Sequence, residues 1–296
     1  MRLCAALCLG VVALVVGFIV VRALPVLSSP SRGTLTGTVW NPDRSLSHPL
    51  HAALYPNQFG VLVPILDTFL AVGLALLLAV PIALALAIVI TDTNPKLGRR
   101  FLRPLIELLI GIPSVVYGWT AYVLLVIPLL QPLAGAGHDG SGYIAAGIVL
   151  AVMVAPTIAT LAADALAGLP PALREASAAL GATQWQTLTR VLIPAARRGI
   201  ISGVVLGMAR AFGEALAVAM VIGGVNVLPD FSHQGARALA DAGTTMTVTI
   251  TDGINNLLAN PDGTAARYLL ALILLGISLA SVTAIRAVNR RAVALT

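Results

Sequence analysis

Arg210 and Glu214 stand four positions apart in Gly207-Met208-Ala209-Arg210-Ala211-Phe212-Gly213-Glu214-Ala215-Leu216-Ala217-Val218, a run that is otherwise apolar. On a helix that spacing puts both side chains on one face, where they can pair. In a bilayer a lone Arg would cost at least about 2.5–3.5 kcal/mol, so a partner is expected. Two readings stand. The pair is a buried structural ion pair, or its face lines a polar passage. In the second reading the Arg fork presents donors that suit a tetrahedral oxyanion. Glu214 would hold Arg210 in place and moderate its grip, since a site that binds too tightly does not release. Gly207 and Gly213 allow close helix contact nearby.

A second constellation precedes it. Glu175-Ala176-Ser177-Ala178-Ala179-Leu180-Gly181 leads to Val191-Leu192-Ile193-Pro194, a polar island between two long apolar segments. Leu169-Pro170-Pro171 opens it, and Pro suits a first helical turn, where an N–H would be unpaired anyway. Ala172 to Leu180 reads as a short helix with Leu173, Ala176 and Leu180 on one face. Gly181 stops that helix. Thr183 is placed to cap a second helix, Gln184 to Leu192, which Pro194 is expected to close. Two short helices at an elbow result, with small residues for close approach of a partner and Glu175 as one fixed charge.

The elements that position these residues follow from composition. The chain has 296 residues, 58% hydrophobic and 10% charged. A soluble domain cannot cover that much apolar surface with polar groups. A membrane helix needs about 20 apolar residues. Six such segments are read: Leu3–Leu24, Thr68–Ile90, Leu105–Leu130, Tyr143–Leu161, Gly199–Gly223 and Tyr268–Val288. Continuous apolar runs indicate helices, because barrel strands would alternate.

The net charge is +6, and 17 of the 18 basic residues are Arg. Their placement speaks for a membrane and against nucleic acid. If the helices alternate, twelve of them fall on one side, from Arg2 through the 91–104 and 162–198 loops to Arg291. The positive-inside rule puts that side and both termini in the cytoplasm. The external loops are then 25–60 and about 225–266, rich in turn residues. Within the second, Met246 to Leu258 is expected to form a short interfacial helix. The domain reading is 1–60 for the first helix and external loop, and 61–290 for a transmembrane domain carrying a cytoplasmic loop at 164–198.

Pro81, Pro113, Pro128 and Pro156 fall inside spans, where each removes a donor and strains the preceding turn. Gly111-Ile112-Pro113-Ser114-Val115-Val116-Tyr117-Gly118 is the most suggestive, with Gly111 and Pro113 as a weak point and Ser114 and Tyr117 as polar groups. It reads either as a packing kink or as a broken helix lining a solute path, hence a gate. Asp67 is expected at the interface, and Arg103 and Glu107 form one turn of a charged edge. Cys4 and Cys8 imply no disulfide framework and read as lipid-facing. The first segment is favoured as an uncleaved helix over a signal peptide. His48, His51, His138 and His233 show no metal-ligand convergence. With one lysine, Lys96, no phosphate-binding G-x4-G-K-[ST] loop is possible.

The island resembles the EAA signature of bacterial ABC-importer permeases, E-A-A-x3-G-x9-I-x-L-P. Every anchor falls at the family spacing, with Ser177, Val191 and Ile193 as conservative departures. The fifth apolar segment is similar to that of the PstC-type permeases of phosphate importers, R-A-x-G-E-x-x-A-V, as is the stretch GIPSVVYG. Thr247-Val248-Thr249-Ile250 is similar, more loosely, to a Thr-rich external stretch of the same subunit. The resemblance covers about residues 60–288. It implies an all-α integral membrane protein with six transmembrane helices and the type I, MetI-like permease fold. It implies no enzyme and no cofactor on this chain, ATP and Mg being bound by a partner ATPase.

The loop with Glu175, Ala176, Ser177, Gly181 and Pro194 would contact that ATPase, and Arg210 and Glu214 would belong to the substrate path. The implied partners are a second homologous permease (PstA-like), an ATPase dimer (PstB-like), an external phosphate-binding protein (PstS-like) and the lipid bilayer of the inner membrane. Two rivals remain. One is a permease for another oxyanion, such as sulfate or molybdate. The other is an ion-coupled secondary transporter, which would need more intramembrane carboxylates than Glu214.

Overall fold

The computed structural model describes residues 2–27, 37–41, 58–93, 96, 98–134, 139–229, 231–253 and 261–293. Most of the 25–60 loop, with His48 and His51, lies outside them, as do His138 and the expected helix beyond Gly253. Among the described residues, six helices are long and apolar enough to cross a membrane: Ala6–Val26, Leu62–Asp92, Ser114–Leu133, Tyr143–Ala167, Gln184–Phe212 and Gly263–Thr283. Cys4 and Cys8 are exposed on the helix that holds the first, Cys8 among exposed leucines and valines.

In chain order, α1 is Arg2–Leu27. A short antiparallel ribbon follows, β1 Trp40–Asn41 against β2 Gln58–Phe59, with Trp40 opposite Phe59. Then come α2 Leu62–Ile88, α3 Arg103–Gly111, α4 Ser114–Ala121 and α5 Tyr143–Ala167. The polar island forms α6 Ala172–Ala179 and α7 Gln184–Thr187. The chain ends with α8 Ile193–Phe212, α9 Leu216–Ala219, α10 Phe231–Gln234, α11 Met246–Asp252 and α12 Pro261–Val293.

Three prolines sit at or just after widened, π-helical turns. Gly98–Leu102 precedes Pro104, Tyr122–Leu130 contains Pro128, and Leu188–Leu192 precedes Pro194. A proline clashes with the carbonyl four residues earlier and gives it no N–H. A π turn widens the ladder at that carbonyl and lets the helix continue. Pro194 therefore does not close the second helix of the island, as the sequence suggested. One helix runs from Gln184 to Phe212.

The residues group into two compact units. The first comprises 1–71, 121–146 and 215–277. Its apolar core includes Trp40, Phe59, Val63, Met246 and Leu270. In it the expected fifth span departs from a helix. After Phe212 the chain turns, forms only α9, and continues as irregular backbone through Gly223 and Gly224, both at positive φ. Val221 and Ile222 are fully buried there, and backbone bonds satisfy the turn: Gly142 N to Val221 O and Gly243 N to Ile222 O, both 2.9 Å. Irregular backbone persists in a membrane protein where protein encloses it.

The second unit comprises 72–120, 147–214 and 278–296. Its seam is a glycine ladder on α8 against α5. A Cβ on Gly199 would lie 2.4 Å from Ala165 Cβ, one on Gly203 3.0 Å from Leu161 Cβ, and one on Gly207 2.6 Å from Ile158 Cγ1. Small residues four apart let the two backbones approach closely. Gly213 has no such contact closer than 3.6 Å and serves as the cap of α8.

Candidate translocation path and coupling site

The glycine seam leads to Arg210, in the last turn of α8, where a cation complements the helix dipole. Its Nη1 donates to Thr157 Oγ1 at 3.3 Å. Thr157 follows Pro156 on α5, and sequence reasoning did not single it out. Arg210 is half-buried. The structure thus gives the sequence-derived Arg210 a polar partner, Thr157, on the neighbouring helix.

Glu214 lies beyond the helix. Gly213 N and Glu214 N bond back to Arg210 O and Ala211 O at 3.1 and 3.3 Å, and the next helix starts at Leu216. The geometry of two positions on one helix face therefore does not apply. Gly213 ends α8, so Glu214 reaches its surroundings from a turn.

The GIPSVVYG stretch is a broken helix. α3 ends at Gly111, Ile112 is extended at ψ 131°, and α4 starts at Ser114. The third span accordingly begins at Ser114 rather than Leu105. Pro113 has no N–H for the carbonyl of Leu109, four residues back. Tyr117 Oη donates to that carbonyl at 2.7 Å, and Ile112 N donates a longer bond at 3.4 Å. The tyrosine substitutes for the bond that the proline removed.

The polar island folds largely as its residues dictate. Glu175 lies in the first turn of α6, near the positive end of the helix. Gly181 takes φ +78°, the left-handed region, and its N–H bonds to Ala178 O at 2.9 Å. Thr183 caps α7 with a complete capping box: Gln186 N donates to Thr183 Oγ1 at 3.3 Å and Thr183 N to Gln186 Oε1 at 3.0 Å. Ser177 is buried, and its Oγ lies 2.9 Å from Thr187 Oγ1. The departure from alanine at that motif position fastens α6 to α7. Glu175, Ala176, Ala178 and Ala179 stay exposed, and Leu180 is 89% exposed. Pro194 lies in the continuous helix.

Other charged groups settle differently from expectation. Arg103 pairs with Glu107 at 3.3 Å, as its spacing suggested, and also with Asp164 at 3.3 Å. Asp67, expected at the interface, is buried within the protein at 1% exposure. Its Oδ2 accepts from Thr244 N at 3.1 Å, and the neighbouring Thr68 Oγ1 accepts from Met246 N at 2.9 Å. These side chains hold the entry to α11, whose first residues Met246 to Thr249 are buried. Among the described residues no three His, Cys, Asp or Glu converge on a metal site.

The model of the family described as binding-protein-dependent transport system inner membrane component matches residues 79–293. The probable ABC transporter permease protein YqgH of Bacillus subtilis is 45% identical over 205 residues, covering 69% of this chain and 62% of that protein. The chain thus spans less than two thirds of that relative. The phosphate transport system permease protein PstC of Xylella fastidiosa is 34% identical over 264 residues, covering 83% of this chain and 73% of that protein. Among solved structures, a chain of the inward-facing MetNI methionine ABC transporter is 25% identical with a TM-score of 0.50. The match covers 77% of this chain and 94% of that one.

Proposed function

We propose that this chain, which belongs to the family of binding-protein-dependent transport system inner membrane components, is the permease subunit of an ATP-driven phosphate importer. It forms part of the translocation path and is moved by an ATPase on a separate chain. The observation that carries the reading is the single helix Gln184–Phe212. Its start is the capped elbow beside α6, and its last turn holds Arg210 against Thr157. A force applied to exposed Leu180 and Glu175 has a continuous helix along which to reach a guanidinium. That guanidinium suits an oxyanion.

The cargo rests on two supports: the Arg210 fork and the likeness to the phosphate permease of Xylella fastidiosa. The partners that complete this reading are a homologous permease, an ATPase dimer and an external phosphate-binding protein. The basic loops face the cytoplasm, with both termini. Reconstituting the complex in liposomes tests it. ATP-dependent uptake of labelled phosphate, resistant to competing sulfate and molybdate, is the expected result. Uptake that follows sulfate or molybdate, or survives without ATP on a proton gradient, would overturn it.

A further inference from the structure

The coupling helix α6 is fastened at two places. One is the buried Ser177–Thr187 contact to the helix that carries Arg210. The other is on the second span. Arg174 donates from Nε and Nη2 to Asp92 Oδ1 at 3.1 and 3.0 Å. The other oxygen, Oδ2, accepts from Thr91 Oγ1 at 2.6 Å. Thr91 also sits 3.0 Å from Ala87 O, in the last turn of α2. The carboxylate is thus held on both oxygens, with its side chain 20% exposed and that of Arg174 34% exposed. Charge-assisted bonds of this kind are shorter and stronger than neutral ones, and partial burial protects them from screening. A groove of about 790 Å³ lies beside the link, lined by Asp92, Arg174, Ala178, Thr183, Trp185 and Leu188. The Arg174–Asp92 bonds are therefore a discrete tie beside open space.

We infer that the Asp92–Arg174 bridge is a second transmission link, by which movement of the coupling helix drives the second span together with the fifth. Asp92 and Arg174 are positioning residues and do not touch substrate. Arg174 directly precedes Glu175, so a partner gripping that first turn also pulls on the guanidinium. The inference rests on the permease reading given above.

The test uses the full reconstituted complex, with phosphate uptake per assembled complex and per ATP hydrolysed as readouts. Asp92→Asn and Arg174→Gln assemble and hydrolyse ATP, while phosphate moved per ATP falls about tenfold, within the range by which coupling mutations act. Arg174→Lys retains part of it. The exchanged pair Asp92→Arg with Arg174→Asp recovers transport beyond either of its single substitutions, which isolates the pairwise contribution. Parental uptake per assembled complex in both neutral variants overturns the inference, even if assembly itself declines. So does an exchanged pair no better than its singles. A parental complex that moves no phosphate would instead contradict the permease reading.

Discussion

Arg210 Nη1 donates to Thr157 Oγ1 at 3.3 Å, joining the last turn of α8 to the turn of α5 that follows Pro156. The hydroxyl orients one arm of the guanidinium. Thr157→Val keeps the shape and removes the acceptor. It is expected to weaken phosphate uptake by about tenfold or more, on the basis of a hydrogen bond to a charged group. Thr157→Ser should stay near the parental rate. Uptake kinetics of the two variants in the reconstituted complex check this.

The glycine ladder predicts an order of damage. A Cβ at Gly199 meets Ala165 Cβ, which cannot rotate away, whereas at Gly207 it meets the Cγ1–Cδ1 arm of Ile158, which a change of rotamer can move. Gly199→Ala is expected to destabilise the protein by about 1–3 kcal/mol and Gly207→Ala by less. Adding Ala165→Gly to Gly199→Ala should restore much of the loss. Thermal unfolding in detergent measures all three.

Tyr117 supplies Leu109 O with the hydrogen bond that Pro113 withholds. Tyr117→Phe leaves that carbonyl only the longer bond from Ile112 N and is expected to cost about 0.5–1.5 kcal/mol. In a Pro113→Ala background an N–H is available again, and the same change should cost clearly less. A double-mutant cycle on thermal stability gives the difference.

Asp67 and Thr68 take the backbone N–H groups of Thr244 and Met246. Asp67→Asn retains an acceptor for Thr244, and Asp67→Ala does not. The alanine variant should lose about 1.5–3 kcal/mol, with faster amide exchange at 244–249, and the asparagine variant much less. Hydrogen exchange resolved along the chain reports it.

The residues themselves made much of this legible. Four of the six spans lie close to their sequence-read positions, the third starts nine residues late and the fifth is displaced, while Thr183, Gly181 and the Ala172 helix act as their types dictate. The misreadings share a cause. The run from Ala215 to Gly223 is as apolar as a span, and hydropathy cannot separate a membrane helix from irregular backbone that protein encloses. Pro194 reads as a stop, because a widened turn leaves no local signature. Asp67 looks interfacial until a segment 177 residues away supplies Thr244 N. Thr157 and Asp92 gain meaning only from Arg210 and Arg174, neither of which is near them in sequence.

The account as a whole depends on Arg210 acting in transport and not only in packing. ATP-driven accumulation of labelled phosphate should be compared between the parental complex and Arg210→Ala in liposomes, normalised to assembled complex. The prediction is that the variant assembles, hydrolyses ATP and accumulates no phosphate above the ATP-free background. Parental accumulation by the variant would contradict it.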